Sequence, residues 1–289
     1  MTTFDRLWDS AEMTRRTLLA SGAATGVIAG FAASVQPVMA QTVIMTDPAG
    51  LDAGMVEIPS AAGPVAAYRA MPAGAKNRPL VLVVQEIFGV HEHIKDVCRR
   101  LAKQGYCAIA PSMFDRQGDV TQMKSFDEIR PVVAKVPDAQ VMGDLDATVA
   151  WAAKAGIADD SKVAITGFCW GGRVVWLYAA HNPKLKAGIA WYGRVVGDKT
   201  ELQPMHAIDV AAKIKAPVLG LYGGADQGIP VASLDQLKAV LGADTKSLFQ
   251  VYPDAPHAFH ADYRPSYREA AAKDGWSRLS EWLKANGVA

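Results

Sequence analysis

Residues 167–172 read Gly-Phe-Cys-Trp-Gly-Gly, a G-x-C-x-G turn between a β-branched run (163–166) and a helical run from Arg173. A nucleophile held at a sharp strand-to-helix turn sits on strained backbone. Side chains two positions to either side would collide there, so Gly167 and Gly171 are what such a turn demands. At a helix N-terminus, unpaired N–H groups and the helix dipole stabilise a Cys169 thiolate. The N–H of Trp170 is then placed to hold an oxyanion. The competing reading is a buried structural cysteine in a glycine-rich turn, since free cysteine is mostly core. Cys98, on the apolar face of a helix, and Cys107, inside a strand, fit that blander description; a disulfide between them is left open.

A thiol nucleophile needs a base and an orienter. Of six histidines, His257 alone follows a strand (247–252) in a loop, Pro253–Phe259, with an acid placed upstream in the right order. That acid is Asp226, after the preceding strand (217–222). Cys169, Asp226 and His257 thus fall at strand ends in the order nucleophile, acid, histidine. Asp254 is the runner-up acid, on the histidine's own loop, and His260 is read as a loop histidine.

The elements that must position these residues alternate strand and helix. Residues 56–58 and 65–70 read as a hairpin. Residues 80–85 (LVLVVQ) form a continuous apolar run, as expected of a strand buried on both faces of a parallel sheet. Helix 94–104, strand 106–110, a loop-like stretch 112–137 with room for one short helix, helix 140–154, strand 162–167, helix 173–181 and strand 186–191 follow. Strand 217–222, helix 231–241, strand 247–252 and a closing helix 267–285 complete the chain. This pattern predicts one α/β domain, a doubly wound, mostly parallel sheet with helices on both faces. In such sheets ligands bind beyond the carboxyl ends of the strands.

Part of the 289-residue length is not expected to belong to that fold. Arg15-Arg16 precede an uncharged Ala/Gly-rich stretch (17–35), and Pro37-Val38-Met39-Ala40 resembles a processing site. This order predicts a twin-arginine export signal over 1–40, cleaved after Ala40, and a periplasmic domain over 41–289. The alternative is an N-terminal membrane anchor; no later segment offers a span. Lys and Arg (30) nearly cancel Asp and Glu (29), and no basic run appears, which argues against a nucleic-acid partner. Half the residues are apolar, which excludes a disordered chain. Three cysteines exclude a disulfide scaffold. The expected partners are a small-molecule ester or lactone and, during translocation, the export machinery; a monomer is expected.

Taken together, Gly167–Gly172, Gln85-Glu86-Ile87-Phe88-Gly89, Gly105-Tyr106, Ala110-Pro111, Gly143-Asp144-Leu145 and Pro256-His257-Ala258-Phe259 resemble the dienelactone hydrolase (carboxymethylenebutenolidase) family of the α/β-hydrolase fold. The resemblance covers nearly all of 41–289. It implies the Cys169–Asp226–His257 triad, with the N–H of Ile87 as a second oxyanion donor. It further implies a Glu86 that contacts the resting cysteine and keeps it protonated; taken alone, Glu86 would read as a structural acid anchoring its loop. No metal or cofactor is implied. Members specialised for dienelactone carry a carboxylate-binding arginine four residues after the histidine. Here that residue is Ala261, with His260 before it and Arg264 beyond. A second such arginine belongs in the loop after Pro111, where Arg116 and Arg130 lie. Candidate substrate contacts are Arg116, Tyr192, Phe259 and Arg264.

The expected chemistry is ester or lactone hydrolysis through a thioester. A thiolate leaves more readily than an ordinary alkoxide, so the tetrahedral intermediate moves forward when the leaving oxygen is stabilised as an enolate or phenolate. Enol lactones and activated esters are favoured on that ground. Competing readings are a broad-specificity exported esterase or thioesterase, a thiol redox enzyme (which would show a C-x-x-C pair), and a non-catalytic binding protein, which would lack a triad member.

Overall fold

A computed structural model describes residues 45–289; the export signal expected over 1–40 lies outside them. Eight strands form one sheet in the order β1-β2-β4-β3-β5-β6-β7-β8. They are β1 (Leu51–Ile58), β2 (Val65–Pro72), β3 (Arg78–Val84), β4 (Cys107–Pro111), β5 (Ala158–Phe168), β6 (Ala187–Trp191), β7 (Val218–Gly223) and β8 (Leu248–Tyr252). The β1–β2 and β2–β4 pairs are antiparallel, and every pairing from β4 to β8 is parallel. The continuous apolar run of β3 sits between β4 and β5, with Leu80 opposite both Cys107 and Val163. Leu80 to Val84 are all fully buried, as a central parallel strand requires.

The helices are α1 (Glu92–Lys103), α2 (Phe126–Ala134), α3 (Asp138–Lys154), α4 (Trp170–His181), the single turn α5 (Ala207–Val210), α6 (Val231–Leu241) and α7 (Glu269–Ala285). In α1, Ile94, Val97, Cys98 and Leu101 are buried, the i, i+3, i+4, i+7 stripe of a helix lying on a sheet. Each such aliphatic side chain contributes about 1.5–3 kcal/mol by leaving water. From β3 the chain crosses to β4 on one side; from β5 it proceeds to β6 on the other. With right-handed crossovers, that reversal places α1 and α4 on opposite faces. Helix α4 packs on β5 and β6, and α7 on β6 and β7. The Ser280 hydroxyl of α7 bonds Gln104 at the end of α1, so these two helices share a face. Among the described residues, no helix is long and apolar enough to cross a membrane.

Two features depart from the expected elements. Strand β5 begins at Ala158, not near 162, because the polar residues Asp159 to Ser161 extend alongside Arg78 and Pro79, past a bulge between Pro79 and Leu80. The stretch after β4 is more ordered than loop-like. A short turn, Val120–Gln122, precedes α2, which is capped by the Ser125 hydroxyl accepting from Glu128 N–H.

Candidate active site

The reversal of strand order between β3 and β5 opens a crevice at the carboxyl edge of the sheet, where ligand sites form in such folds. Cys169 occupies it, at the junction of β5 and α4, with φ 55° and ψ −112°. A non-glycine residue rarely adopts this conformation, and the surrounding packing must hold it there. The flanking glycines show how close that packing is. A Cβ at Gly167 would lie 2.3 Å from the Gly171 carbonyl oxygen, and one at Gly171 would lie 2.4 Å from that of Val84. The turn is therefore pressed against the end of β3, and the Cys169 N–H is tied to the Trp191 carbonyl at 3.0 Å.

His257 arrives from the loop after β8 and Asp226 from the loop after β7. His257 Nδ1 lies 2.6 Å from Asp226 Oδ2, and both residues are buried. The Asp226 Oδ1 accepts from the Gly228 N–H at 2.8 Å, which fixes the carboxylate. Burial alone would lower the His257 pKa. The Asp226 charge, then the negative charge that Cys169 carries as a thiolate, outweigh it and hold the ring well above its ordinary range. Asp254 is exposed; it is Asp226 that meets the ring.

Ile87, Cys169, Trp170, Tyr192 and His257 border one cavity of about 510 Å³. Phe126, Ile129 and Val133 of α2 and Ile229 supply apolar wall, while Arg130, Arg173, Arg194, Asp198, Lys199, Gln203 and His206 supply polar wall. Tyr192 directly follows β6 at φ 38°. Its buried hydroxyl has no hydrogen-bond partner among the described residues, which leaves a donor available to a ligand.

Glu86 is 2% exposed and accepts from the Tyr263 hydroxyl at 3.0 Å, with His91 Nε2 at 3.5 Å and Arg264 at 3.8 Å. Burial would raise its pKa; the Arg264 charge and the His91 hydrogen bond overcome that and hold the carboxyl well below the usual carboxylate range. The carboxylate thus meets a phenol, an imidazole and a guanidinium, donors that reward its charge.

Three expected substrate contacts sit elsewhere. Arg116 is paired with buried Asp144 and is spent anchoring the loop after β4 to α3. Phe259 is fully buried behind Tyr192, with ring centroids 5.3 Å apart, so it supports that ring without bordering the cavity. Arg264 stacks over Phe88 at 4.4 Å beside Glu86. Of the four, Tyr192 borders the cavity. His260 lies in the turn after β8, as expected of a loop histidine, but is buried there, stacked between Phe168 and Trp276. Burial, then His93 and Arg100, hold it in the neutral form, far below its ordinary pKa. Cys98 and Cys107 are free thiols. Burial pushes both up, Cys107 to about 12. Among the described residues, no three His, Cys, Asp or Glu side chains are grouped to hold a metal ion.

The model of the dienelactone hydrolase family matches residues 65–287. The chain belongs to the dienelactone hydrolase family. That membership makes it a hydrolase acting on ester or lactone bonds. A relative from Methylorubrum extorquens, a carboxymethylenebutenolidase by name, is 60% identical, and the match covers 100% of both chains. One of the same name from Escherichia coli K12 is 49% identical over 91% of this chain and 98% of its own. Among solved structures, a dienelactone hydrolase by name from Klebsiella pneumoniae superposes with a TM-score of 0.78 at 51% identity, covering 81% of this chain and 98% of that one. An acylaminoacyl peptidase of Pyrococcus horikoshii, 16% identical with a TM-score of 0.66 over 83% of this chain and 43% of its own, shares the fold alone.

Proposed function

We propose that this dienelactone hydrolase family member cleaves carboxylic esters or lactones through a thioester on Cys169. The observation that carries this reading is the 2.6 Å Asp226–His257 contact beside a Cys169 held at φ 55° in the cavity wall. His257 takes the thiol proton, and the thiolate attacks the carbonyl carbon. Asp226 orients the ring and stabilises the imidazolium without itself taking a proton. The N–H groups of Ile87 and Trp170 hold the oxyanion, where one donor is worth about 2.7–4 kcal/mol. The carbon–oxygen bond breaks, and the leaving oxygen takes the proton from His257. Water deprotonated by His257 then attacks the thioester, releasing the acid and returning the thiolate.

Because a thiolate departs easily, enol lactones and aryl esters suit this site best, as their leaving oxygens are stabilised. The largely apolar wall from α2 also favours a second reading, an esterase tolerant of varied acyl groups. A panel of cis- and trans-dienelactone, aryl acetates, alkyl esters and thioesters against wild type and Cys169→Ala tests both. Turnover surviving in the alanine variant refutes the nucleophile. Alkyl esters cleaved as fast as enol lactones refute the leaving-group argument. Export through the twin-arginine route, with cleavage after Ala40, is part of the same reading. It rests on Arg15-Arg16 and the small residues before Gln41, and cell fractionation with N-terminal sequencing checks it.

A further inference from the structure

Two walls of the cavity come from different elements: Phe126, Ile129 and Val133 from α2, and Thr200, Gln203 and His206 from the segment between β6 and α5. The second wall is firmly anchored. The Leu202 carbonyl accepts from the Asp138 N–H at 2.9 Å, and the Met205 carbonyl from Arg173 at 2.5 Å. Thr200 and Gln203 close a turn, with the Gln203 N–H on Thr200 Oγ1 at 3.0 Å and the Thr200 N–H on the Gln203 carbonyl at 3.1 Å. Helix α2 has less of its own to hold it. It runs for 9 residues and contains Pro131, which has no N–H for the Asp127 carbonyl. Helices this short are marginal without tertiary support. Its first turn is placed by the Ser125 cap and by Phe126, edge-on to Phe88 with ring centroids 5.8 Å apart. Beyond that it packs chiefly against the turn Val120–Gln122 rather than on the sheet. Its last turn is met from the other wall. Gln203 Nε2 donates to the Val133 carbonyl at 3.0 Å and to the Val136 carbonyl at 3.3 Å, at the corner (135–137) where α2 gives way to α3. The last carbonyls of a helix lack intrahelical partners and form the negative end of its dipole. A donor there satisfies them and fixes the helix end.

We infer that Gln203 is a positioning residue of this site: by bracing the corner between α2 and α3 from the second wall, it fixes the apolar face of α2 and so sets the size of the acyl group that fits. This rests on the reading of Cys169 as an ester nucleophile. An apolar wall by itself accepts varied acyl groups, because hydrophobic contact is not directional. A wall held in place limits their bulk, since close-packed side chains yield little. Without its brace, α2 can tilt, admit a longer chain and grip a short one less well. The charge at position 203 then matters in sign. Glutamate keeps the shape of glutamine but has no N–H to give, and it sets an anion at the negative end of the helix. Lysine donates to the same carbonyls and complements that end.

The test compares para-nitrophenyl butyrate with para-nitrophenyl octanoate, both uncharged, on wild type, Gln203→Glu and Gln203→Lys. The wild type is expected to favour the butyrate in kcat/KM. That preference should fall by about 5–30-fold in Gln203→Glu, the scale of one or two hydrogen bonds. The change should lie in KM more than in kcat, because Cys169 and His257 are carried by other elements. Gln203→Lys should recover part of the preference. Hydrogen exchange over residues 126–136, followed by mass spectrometry, needs no turnover; it should be faster in Gln203→Glu than in wild type, with Gln203→Lys between them. If neither ester is cleaved yet exchange follows that order, the hydrolytic reading falls and the brace stands. A preference unchanged in Gln203→Glu overturns the inference, whether or not α2 exchanges faster. A changed preference with unchanged exchange overturns it too, since Gln203 would then act on the substrate directly and not through α2.

Discussion

Replacing Gly171 with alanine should damage catalysis more than folding, and the structure sets the scale. The new Cβ would lie 2.4 Å from the Val84 carbonyl oxygen, 2.6 Å from that of Gln85 and 2.8 Å from the Val84 carbonyl carbon. All three are backbone atoms at the end of β3, so no flexible side chain can yield. To reach even the 3.0–3.4 Å of the tightest real Cβ contacts, α4 and the end of β3 must separate by about 0.6–1 Å. Overpacking of this kind costs about 1–3 kcal/mol, or roughly 2–4 °C of Tm per kcal/mol for a chain this size. The displaced segment leads directly into Glu86 and Ile87, while Cys169 lies on the other side of the wedge. A misplacement of about 1 Å at such a site costs about 100-fold in rate. The assay is kcat/KM on an aryl ester beside a thermal melt, with Gly143→Ala as the control. An added Cβ at Gly143 meets nothing within 4 Å and lies inside α3, so that variant should gain about 0.5–1 kcal/mol and keep its rate. A Gly171→Ala enzyme within threefold of wild type in kcat/KM would refute the reasoning.

Other perturbations probe the supporting network. In Asp226→Asn, burial is left to act on His257 without the carboxylate that opposed it, so the ring should titrate at lower pH, seen by NMR of its ring protons. Its kcat/KM should fall by about 100–10,000-fold, and an unshifted ring would contradict the assigned cause. In the wild type, a Glu86 held below its ordinary value of 4.5 contributes stability that is present above about pH 4.5 and drains away as pH falls toward the folded-state value. The advantage of wild type over Glu86→Gln in urea unfolding should therefore shrink below pH 4.5; an advantage constant with pH would dismiss the ion-pair account. Asp138→Ala strands the Arg173 guanidinium in a buried setting and should cost about 3–5 kcal/mol by the same unfolding assay.

What the chain makes legible follows from where the information sits. The LVLVVQ run and the glycines around Cys169 carry local constraints, one from burial on both faces and one from a clash at short range. Both can be read without knowing the neighbours, and both appear in the structure where expected. Asp226 and His257 were accessible because strand ends in a parallel sheet gather at one edge, so chain order substitutes for distance. The surroundings of Glu86 had no such shortcut. Tyr263 lies 177 residues away in sequence, and nothing in its local pattern ties it to the β3 loop. Which way a loop side chain turns was equally hidden. Arg116, Phe259 and Arg264 all sit on loops at the right edge, yet their side chains meet Asp144, Tyr192 and Glu86. Arg194, two residues past Tyr192, borders the cavity without belonging to any recognisable motif. The polar start of β5 shows the complementary failure, since an exposed strand end has no apolar alternation to announce it.

The burial of Cys98 and Cys107 also makes the folded protein a one-handle molecule for sulfur chemistry. Thiols pushed to such high pKa values and removed from solvent present almost no thiolate to an alkylating reagent, whereas Cys169 is partly exposed beside an imidazole. A maleimide dye should therefore add once per native chain and three times in denaturant. The native stoichiometry then counts competent sites in a preparation directly. It also allows a reporter to be installed at the cavity without first engineering the other two cysteines away.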